Sequence, residues 1–190
     1  MKKTLKILSL SLVLALLIPF TITNAQIFDK GDIVINAGIG LGSTLHPLGS
    51  HYKTTIPPIF ISGDYCLMED LGPGNLGVGG YFGFSGYKYD YNLHDWYVKY
   101  TDLIIGARGT YHFVDLVDRL DLYGGVLIGA EIVTHKYSDE ELEDYYSANA
   151  SGAAFSIFAG ARYYFTDNFA AMAELGYGIA WLSIGVSLKF

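Results

Sequence analysis

Residues 180–190 read AWLSIGVSLKF, and every second residue counted back from Phe190 is apolar. The residues between them are mostly small or polar. An apolar period of two predicts a β-strand with one hydrophobic face. About eleven tilted residues are enough to cross a bilayer. At the edge of a soluble sheet such a strand would promote aggregation, whereas a membrane-spanning strand requires this pattern.

The amino terminus has the pattern of a secretory signal peptide. Lys2, Lys3 and Lys6 precede an apolar run over 7–20, and Ala25 ends a small-residue cleavage motif before Gln26. We therefore predict a signal peptide over residues 1–25 and an outer-membrane barrel domain over residues 26–190. The alternative is an N-terminal membrane anchor, for which the apolar run is short and its flank cleavable.

Composition narrows the functions open to residues 26–190. Cleavage removes three basic residues and no acidic one, which leaves nine basic residues against nineteen acidic residues and a net charge of −10. Such an acidic chain is not expected to bind nucleic acid through a basic patch. Cys66 is the sole cysteine, so no internal disulfide is possible.

Seven further segments alternate in the same way as the last one, beginning near residues 32, 59, 76, 102, 120, 153 and 169. The stretches between these segments are alternately long and short, except for the last one, near Gly178, which is short where a long one is expected. The long ones, over 43–58, 88–96 and 135–150, are predicted external loops, and both termini then fall on the periplasmic side. The sequence predicts an all-β fold, an eight-stranded antiparallel up-and-down transmembrane β-barrel.

A secreted soluble sandwich or a lipocalin-like barrel would also alternate. Its second face would form a dry core. Here that face carries a charged residue on at least five strands, and isolated charges in a dry core are costly. A polar interior inside an apolar exterior explains both faces.

The chain resembles the small outer-membrane barrels of the OmpA/OmpX/Ail type in its eight segments and its terminal Phe190. Segments 106–108 and 160–168 resemble those of porin-family barrel proteins of Bacteroidetes-like bacteria. The resemblance implies a Gram-negative outer-membrane location. It also implies that the terminal strand, with Phe190, Leu188 and Val186, is the assembly signal recognised by the barrel insertion machinery.

The predicted interior contains a charge network of Asp64, Arg108, Arg162 and Glu174. A turn centred on Asp167 places Arg162 opposite Met172 and one diagonal step from Glu174. Because eight strands enclose a space that side chains can just fill, we interpret the network as a plug. A gated path for ions through the same groups is the alternative.

Catalytic, cofactor and metal sites are not expected. His94 and Asp95 are adjacent only in sequence, no nucleophile is marked by spacing, and the five histidines are too scattered for a metal motif. His112 faces inward at the periplasmic end, and Cys66 is interpreted as a packing residue.

The external loops are the predicted functional surface, with Trp96, Tyr145 and Tyr146 as candidate contacts. We expect a monomer with a structural or surface-binding role toward an unidentified extracellular ligand. A narrow porin-like channel for ions or small solutes is the alternative. Expected partners are outer-membrane lipid, the insertion machinery and periplasmic chaperones.

Overall fold

The computed structural model describes residues 28–43, 52–90, 97–114, 116–137 and 150–190. The predicted signal peptide lies outside the described residues. The described chain forms eight strands: β1 Ile33–Ser43, β2 Tyr52–Met68, β3 Gly74–Asp90, β4 Tyr97–Phe113, β5 Leu120–Tyr137, β6 Ala150–Tyr164, β7 Phe169–Tyr177 and β8 Ala180–Lys189. This part of the chain contains no helix long and apolar enough to span a membrane.

The eight strands close into one barrel in which each strand pairs antiparallel with its sequence neighbours. β1 pairs with β8 to complete the ring, and Ile33 and Phe190 exchange backbone hydrogen bonds of 3.1 and 2.9 Å at the end of this seam. Closure leaves the sheet without a free edge. The prediction of an eight-stranded antiparallel up-and-down barrel is confirmed.

The strands on one side of the barrel are longer than the sequence predicted. β2 begins at Tyr52 rather than at Ile59, β3 continues to Asp90, and β5 continues to Tyr137. The stretches predicted as loops over 43–58, 88–96 and 135–150 are therefore partly strand. β2 tolerates Pro57 and Pro58 because its pairing with β3 shifts register between Thr54 and Ile59.

The outward face of the barrel is an apolar belt, as the alternation predicted. Its side chains remain exposed to the surroundings, for example Ile61 at 51%, Ile105 at 50% and Ile128 at 66%. The inward face is buried and rich in polar groups such as Asn36, Thr110 and Ser187. An exposed apolar belt around a polar interior is the arrangement that a lipid environment stabilises.

The two ends of the barrel differ, and we name them by their connections. The short-turn end carries both chain ends of the barrel and the links β2–β3, β4–β5 and β6–β7. The long-loop end carries the links β1–β2, β3–β4 and β5–β6. At this second end β7 joins β8 through Gly178 and Ile179 alone, with Gly178 at a φ of 115° that favours glycine.

This two-residue link changes the first residues of β8. The alternation predicted Ala180 on the apolar outward face and Trp181 on the inner face. The structure shows the reverse, because Ala180 is 8% exposed and Trp181 is 52% exposed. Leaving the tight turn at Gly178, the chain first directs Ile179 and Ala180 inward. The predicted alternation applies to the rest of the strand.

Candidate functional site: the buried charge network

One network in the interior of the barrel joins two arginines and three carboxylates, all of them buried: Arg108, Arg162, Asp64, Asp121 and Glu174. They come from β4, β6, β2, β5 and β7, so the network joins most of the wall. Strand alternation directs each of them inward. The charges lie close together because the barrel is narrow enough for a long side chain to reach across it.

Arg108 bridges two carboxylates on different strands. Its Nε lies 2.9 Å from Asp64 Oδ1, and its Nη2 lies 2.8 Å from Glu174 Oε1. Its Nη1 donates to Ser62 Oγ at 3.1 Å. The guanidinium also lies over the Phe158 ring, 4.4 Å from the centroid. All three nitrogens of this cation therefore lie close to oxygen atoms of the protein, and one of its faces packs on a ring.

Arg162 bridges a different pair of carboxylates. Its Nη1 donates to Asp121 Oδ2 at 2.9 Å and its Nη2 donates to Asp64 Oδ2. Its Nε donates to Asn36 Oδ1 at 3.1 Å, and its guanidinium lies 4.3 Å from the Tyr123 ring centroid. Asp64 is thus shared by both arginines and links them into one network.

The structure brings together all four residues that the sequence placed in the network, but their pairing differs. Arg162 lies opposite Met172 in the β6–β7 register, as expected. Glu174, expected beside Arg162, instead pairs with Arg108 and accepts a 2.8 Å hydrogen bond from Tyr123 Oη. Alternation predicts which face of its strand a side chain lies on and at what height in the barrel. It does not predict which carboxylate across the interior an arginine contacts.

Asp121 is the network carboxylate that the sequence argument did not select. It lies on the inward face of β5, directly opposite Arg162 in the β5–β6 register. Alternation also placed it on the inward face, but the sequence argument considered only the pairing of β6 with β7. The cross-strand offset between β5 and β6 was the signal that could have identified it.

Asp121 also belongs to a second arrangement at the short-turn end. Its Oδ1 lies 2.8 Å from His112 Nδ1, and His112 Nε2 lies 3.0 Å from Thr110 Oγ1. A hydroxyl, an imidazole and a carboxylate in this order resemble a nucleophile, a base and its orienting group. All three side chains are buried, so no substrate reaches the hydroxyl in this structure. The arrangement satisfies buried polar groups.

The short-turn end of the interior is closed by the segment that precedes β1. Phe28 is fully buried and stacks on His112 with ring centroids 3.9 Å apart. Its carbonyl accepts a 2.6 Å hydrogen bond from Asn75 Nδ2. Cys66 packs beside it, with Sγ 3.8 Å from the same carbonyl. The sequence argument missed this closure by Phe28, because Phe28 precedes the alternating segment that forms β1.

Toward the long-loop end, the interior above Arg108 is filled by apolar side chains. Leu127, Phe158 and Ile179 belong to one buried cluster, and Tyr81 packs against it. Between this cluster and the network lies a cavity of about 20 Å³, enough for one or two waters. Among the residues that surround it, the polar ones are Arg108, Glu174, Tyr81, Ser156 and Ser183.

The other sequence-predicted residues lie elsewhere. Val186, Leu188 and Phe190 are on the outward face of the closing strand, 44%, 46% and 71% exposed. The loop candidates Trp96, Tyr145 and Tyr146 lie outside the described residues. Within the described ranges, no group of three His, Cys, Asp or Glu side chains could hold a metal ion.

No family model matches the sequence, and no curated protein matches it. Solved outer-membrane barrels share the fold. OprG from Pseudomonas aeruginosa superposes with a TM-score of 0.53 at 13% identity, over 86% of this chain and 97% of that one. Ail, the attachment invasion locus protein of Yersinia pestis, solved with the heparin analogue sucrose octasulfate, superposes with a TM-score of 0.50 at 16% identity, over 85% and 100%. The barrel fold implied by the OmpA/OmpX/Ail resemblance is confirmed.

Proposed function

We propose that this chain is an integral outer-membrane barrel of a Gram-negative bacterium, a closed scaffold that presents surface-binding loops. The long-loop end then faces outward and the short-turn end faces the periplasm. The exposed apolar belt and the polar interior support the membrane location. The fold that this chain shares with solved outer-membrane barrels also supports an outer-membrane location.

The observation that carries the scaffold proposal is the filled interior. Arg108 and Arg162 extend into the interior, and each guanidinium contacts carboxylates from two other strands. Phe28 closes the space on one side, and Ile179 with its apolar neighbours closes it on the other. A solute that crossed the interior would have to displace side chains at three successive levels. These are Phe28, the arginine network as the middle level, and the apolar cluster around Ile179.

Conductance of the refolded protein in planar bilayers tests the closed lumen. We expect no discrete openings at moderate voltage, because each level is held by packing or by ion pairs. An Arg108→Ala, Arg162→Ala variant removes the middle level and serves as the comparison. Stable unitary openings in the unmodified protein would contradict the scaffold proposal and favour a narrow channel for ions or small solutes.

The loops remain the surface for a ligand. The stretches 44–51, 91–96 and 138–149 together contain six acidic residues and no lysine or arginine. Ail was solved with a sulfated heparin analogue. For the present chain, acidic loops favour a cationic or neutral extracellular ligand instead, because like charges repel. An array of basic peptides tests this preference. We expect the protein to bind the array more weakly at high salt than at low salt, because salt screens the attraction between opposite charges.

The remaining partners follow from the membrane location. We propose that the chain is a monomer in outer-membrane lipid, delivered by periplasmic chaperones and inserted by the barrel insertion machinery. Separation of inner and outer membranes on a density gradient tests the location. A chain recovered in the soluble periplasmic fraction at steady state would contradict it.

A further inference from the structure

The buried network has an uneven count of charges. Its two arginines, Arg108 and Arg162, face three carboxylates, and all five side chains are buried. Unless a further cation joins it, the network keeps one negative charge in excess. A net charge in a space closed to bulk water is costly, because neither a partner nor solvent compensates it. The contacts of the three carboxylates indicate where a compensating cation would lie.

The excess charge lies at Glu174. Asp64 contacts one arginine with each of its two oxygens. Asp121 contacts Arg162 with one oxygen and His112 with the other. Glu174 instead accepts both of its hydrogen bonds, one from an arginine and one from a tyrosine, on Oε1. Its Oε2 accepts no hydrogen bond from the residues that the structure describes.

Glu174 lines the cavity of about 20 Å³ above the network, which we call the Glu174 cavity. Three side chains with hydroxyl groups line the same cavity, namely Ser156, Ser183 and Tyr81. Across the described part of the chain, none of these hydroxyls has a hydrogen-bond partner. Ser156 is 6% exposed, and a buried hydroxyl without a protein partner points to a bound ion or water.

The β7–β8 register brings two of these oxygen-bearing groups together. Glu174 and Ser183 are directly opposite each other, so their side chains share the inward face. The Cα atoms of such a pair are about 5 Å apart. Gly176, the next inward position on β7, and Ala180 of β8 also line the cavity. Because neither has a bulky side chain, the space above Glu174 stays open.

Charge and volume together select the ligand. One excess negative charge is balanced by a single positive charge. Ca²⁺ takes about six to eight oxygen ligands, often from several carboxylates, whereas this cavity offers one carboxylate oxygen without a partner. A volume of about 20 Å³ is too small for an organic ammonium ion. Arg108 also lines the cavity, but its charge is shared between Asp64 and Glu174.

We propose that the Glu174 cavity binds one Na⁺ ion. Its ligands are Oε2 of Glu174 and three hydroxyl oxygens, those of Ser156, Ser183 and Tyr81. The Glu174 side chain is 9% exposed, against 1% for Arg108 and 0% for Asp64, so the ion enters from the long-loop end. The bound ion joins β6, β7 and β8, and thereby stabilises the wall that contains the two shortest strands.

Unfolding by urea in dodecyl maltoside micelles tests the site. Ionic strength is held constant while sodium chloride is replaced by N-methylglucamine chloride, whose cation is too large for the cavity. An ion that binds only the folded protein lowers the unfolding equilibrium constant about tenfold for each decade of Na⁺ concentration above the dissociation constant. We expect this response in the unmodified protein. Glu174→Gln, which removes the excess charge, should abolish it.

Three further variants locate the ion. Asp118→Asn removes an exposed carboxylate in the β4–β5 link and is the matched control, with an unchanged sodium response. Ser183→Ala keeps every charge of the network, so it decides the question if Glu174→Gln does not fold. Its half-maximal sodium concentration should rise roughly fivefold, the typical effect of one lost polar contact. His112→Gln should respond as the unmodified protein does, because the contact of His112 in the network is Asp121.

Three outcomes would overturn the proposal. If the unmodified protein does not respond to sodium at constant ionic strength, the cavity holds water alone and a proton, for example on His112, balances the network. An equal sodium response in Glu174→Gln and the unmodified protein would place the ion at another site. An unchanged half-maximal concentration in Ser183→Ala would mean that the ion does not lie between β7 and β8.

Discussion

At the residue scale, the buried network depends on small side chains as much as on charged ones. Gly77 of β3 faces the interior, where an added methyl would lie 3.2 Å from the Phe28 ring. Ser62 and Asn36 supply hydrogen-bonding groups without bulk. Buried ion pairs seldom add stability over apolar packing, but removing one partner leaves a charge uncompensated. The network is therefore most sensitive to loss of a single member.

This asymmetry gives the first prediction. Arg108→Met leaves Glu174 without its cation and should lower the free energy of unfolding by about 3–5 kcal/mol. The double variant Arg108→Met, Glu174→Gln removes the stranded charge and should recover a substantial part of the loss. Urea unfolding in micelles measures both. Lys30→Met, an exposed charge removed elsewhere, is the control and should change stability by less than about 0.5 kcal/mol.

The pairing between Arg108 and Glu174 also makes this prediction specific. Arg162→Met with Glu174→Gln should recover much less, because Arg162 is bonded to Asp64 and Asp121 instead. Equal recovery in the two double variants would mean that the carboxylates respond to total charge and not to these contacts.

At the element scale, the segment before β1, residues 28–32, closes the short-turn end of the interior and is held there by hydrogen bonds; we call it the Phe28 plug. Asp29 N donates to Asp32 Oδ2 at 3.0 Å, and Gly31 N donates to the Cys66 carbonyl at 3.2 Å. Gly31 has a φ of 96°, which lets the chain reverse there. These bonds hold Phe28 under His112 and cover the buried thiol of Cys66.

The second prediction uses that thiol as a reporter. Cys66 is the sole cysteine and is fully buried, so the folded protein should react very slowly with a maleimide. Phe28→Ala removes the ring that covers the interior and should lower the free energy of unfolding by about 3–5 kcal/mol. Labelling of Cys66 should become at least tenfold faster.

Phe60→Ala is the matched control for the plug. Phe60 is also a buried ring on the inward face of β2, stacked on Tyr81 at 5.6 Å. Six residues, or about 20 Å, separate it from Cys66 along the strand. It should destabilise the barrel without exposing the thiol. Equal labelling rates in the two variants would show that general loosening, and not loss of the plug, controls access.

The third prediction concerns the closing strand. Deletion of residues 188–190 removes the pairing of Leu188 with Ile35 and the backbone bonds between Ile33 and Phe190, so the ring cannot seal. We expect the shortened chain, and to a lesser degree Phe190→Ala, to accumulate in the periplasm and be degraded. Surface labelling and immunoblotting of fractions measure this. Phe169→Ala, another outward ring at the same end and 39% exposed, should reach the membrane normally.

Surface levels of the 188–190 deletion equal to those of the unmodified chain would contradict the role given to this strand. A similar loss in Phe169→Ala would assign the defect to any missing aromatic ring at the short-turn end, and not to the terminal residue.

At the scale of the whole molecule, the barrel has a short wall and a long wall. β7, β8 and β1 have 9, 10 and 11 residues, which is the length that spans a bilayer. β2 to β5 have 17 or 18 residues and therefore project beyond it by roughly 14 Å. One side of the molecule thus rises above the membrane surface and the other ends near it.

Sequence periodicity predicted the strand number, the topology and the inward faces because a membrane barrel imposes one rule on every strand. It underestimated β2, since Pro57 and Pro58 suggest a loop and only the register shift beside them permits strand pairing. It missed Phe28 and Ile179, which enter the interior from connections without alternation. It also could not give the pairing of Arg108 with Glu174, because contacts across the interior depend on register, and register depends on loops of unequal length.

The last prediction places the whole barrel in the membrane. Trp181 is exposed at the end of the short wall and packs edge-on against Tyr177 at 5.5 Å. Nine tilted residues separate it from Phe190, a rise of about 21 Å, so the two rings mark the limits of the apolar belt. In a Trp96→Phe background, fluorescence of Trp181 should be quenched more by lipids brominated at carbons 6 and 7 than at carbons 11 and 12. A tryptophan moved to Ile184, about 7 Å deeper, should show a shift toward the deeper bromines. If neither lipid quenches the fluorescence, the chain lies outside the bilayer. If the deeper bromines quench Trp181 more strongly, Trp181 lies deeper in the bilayer than the edge of the apolar belt assigned to it.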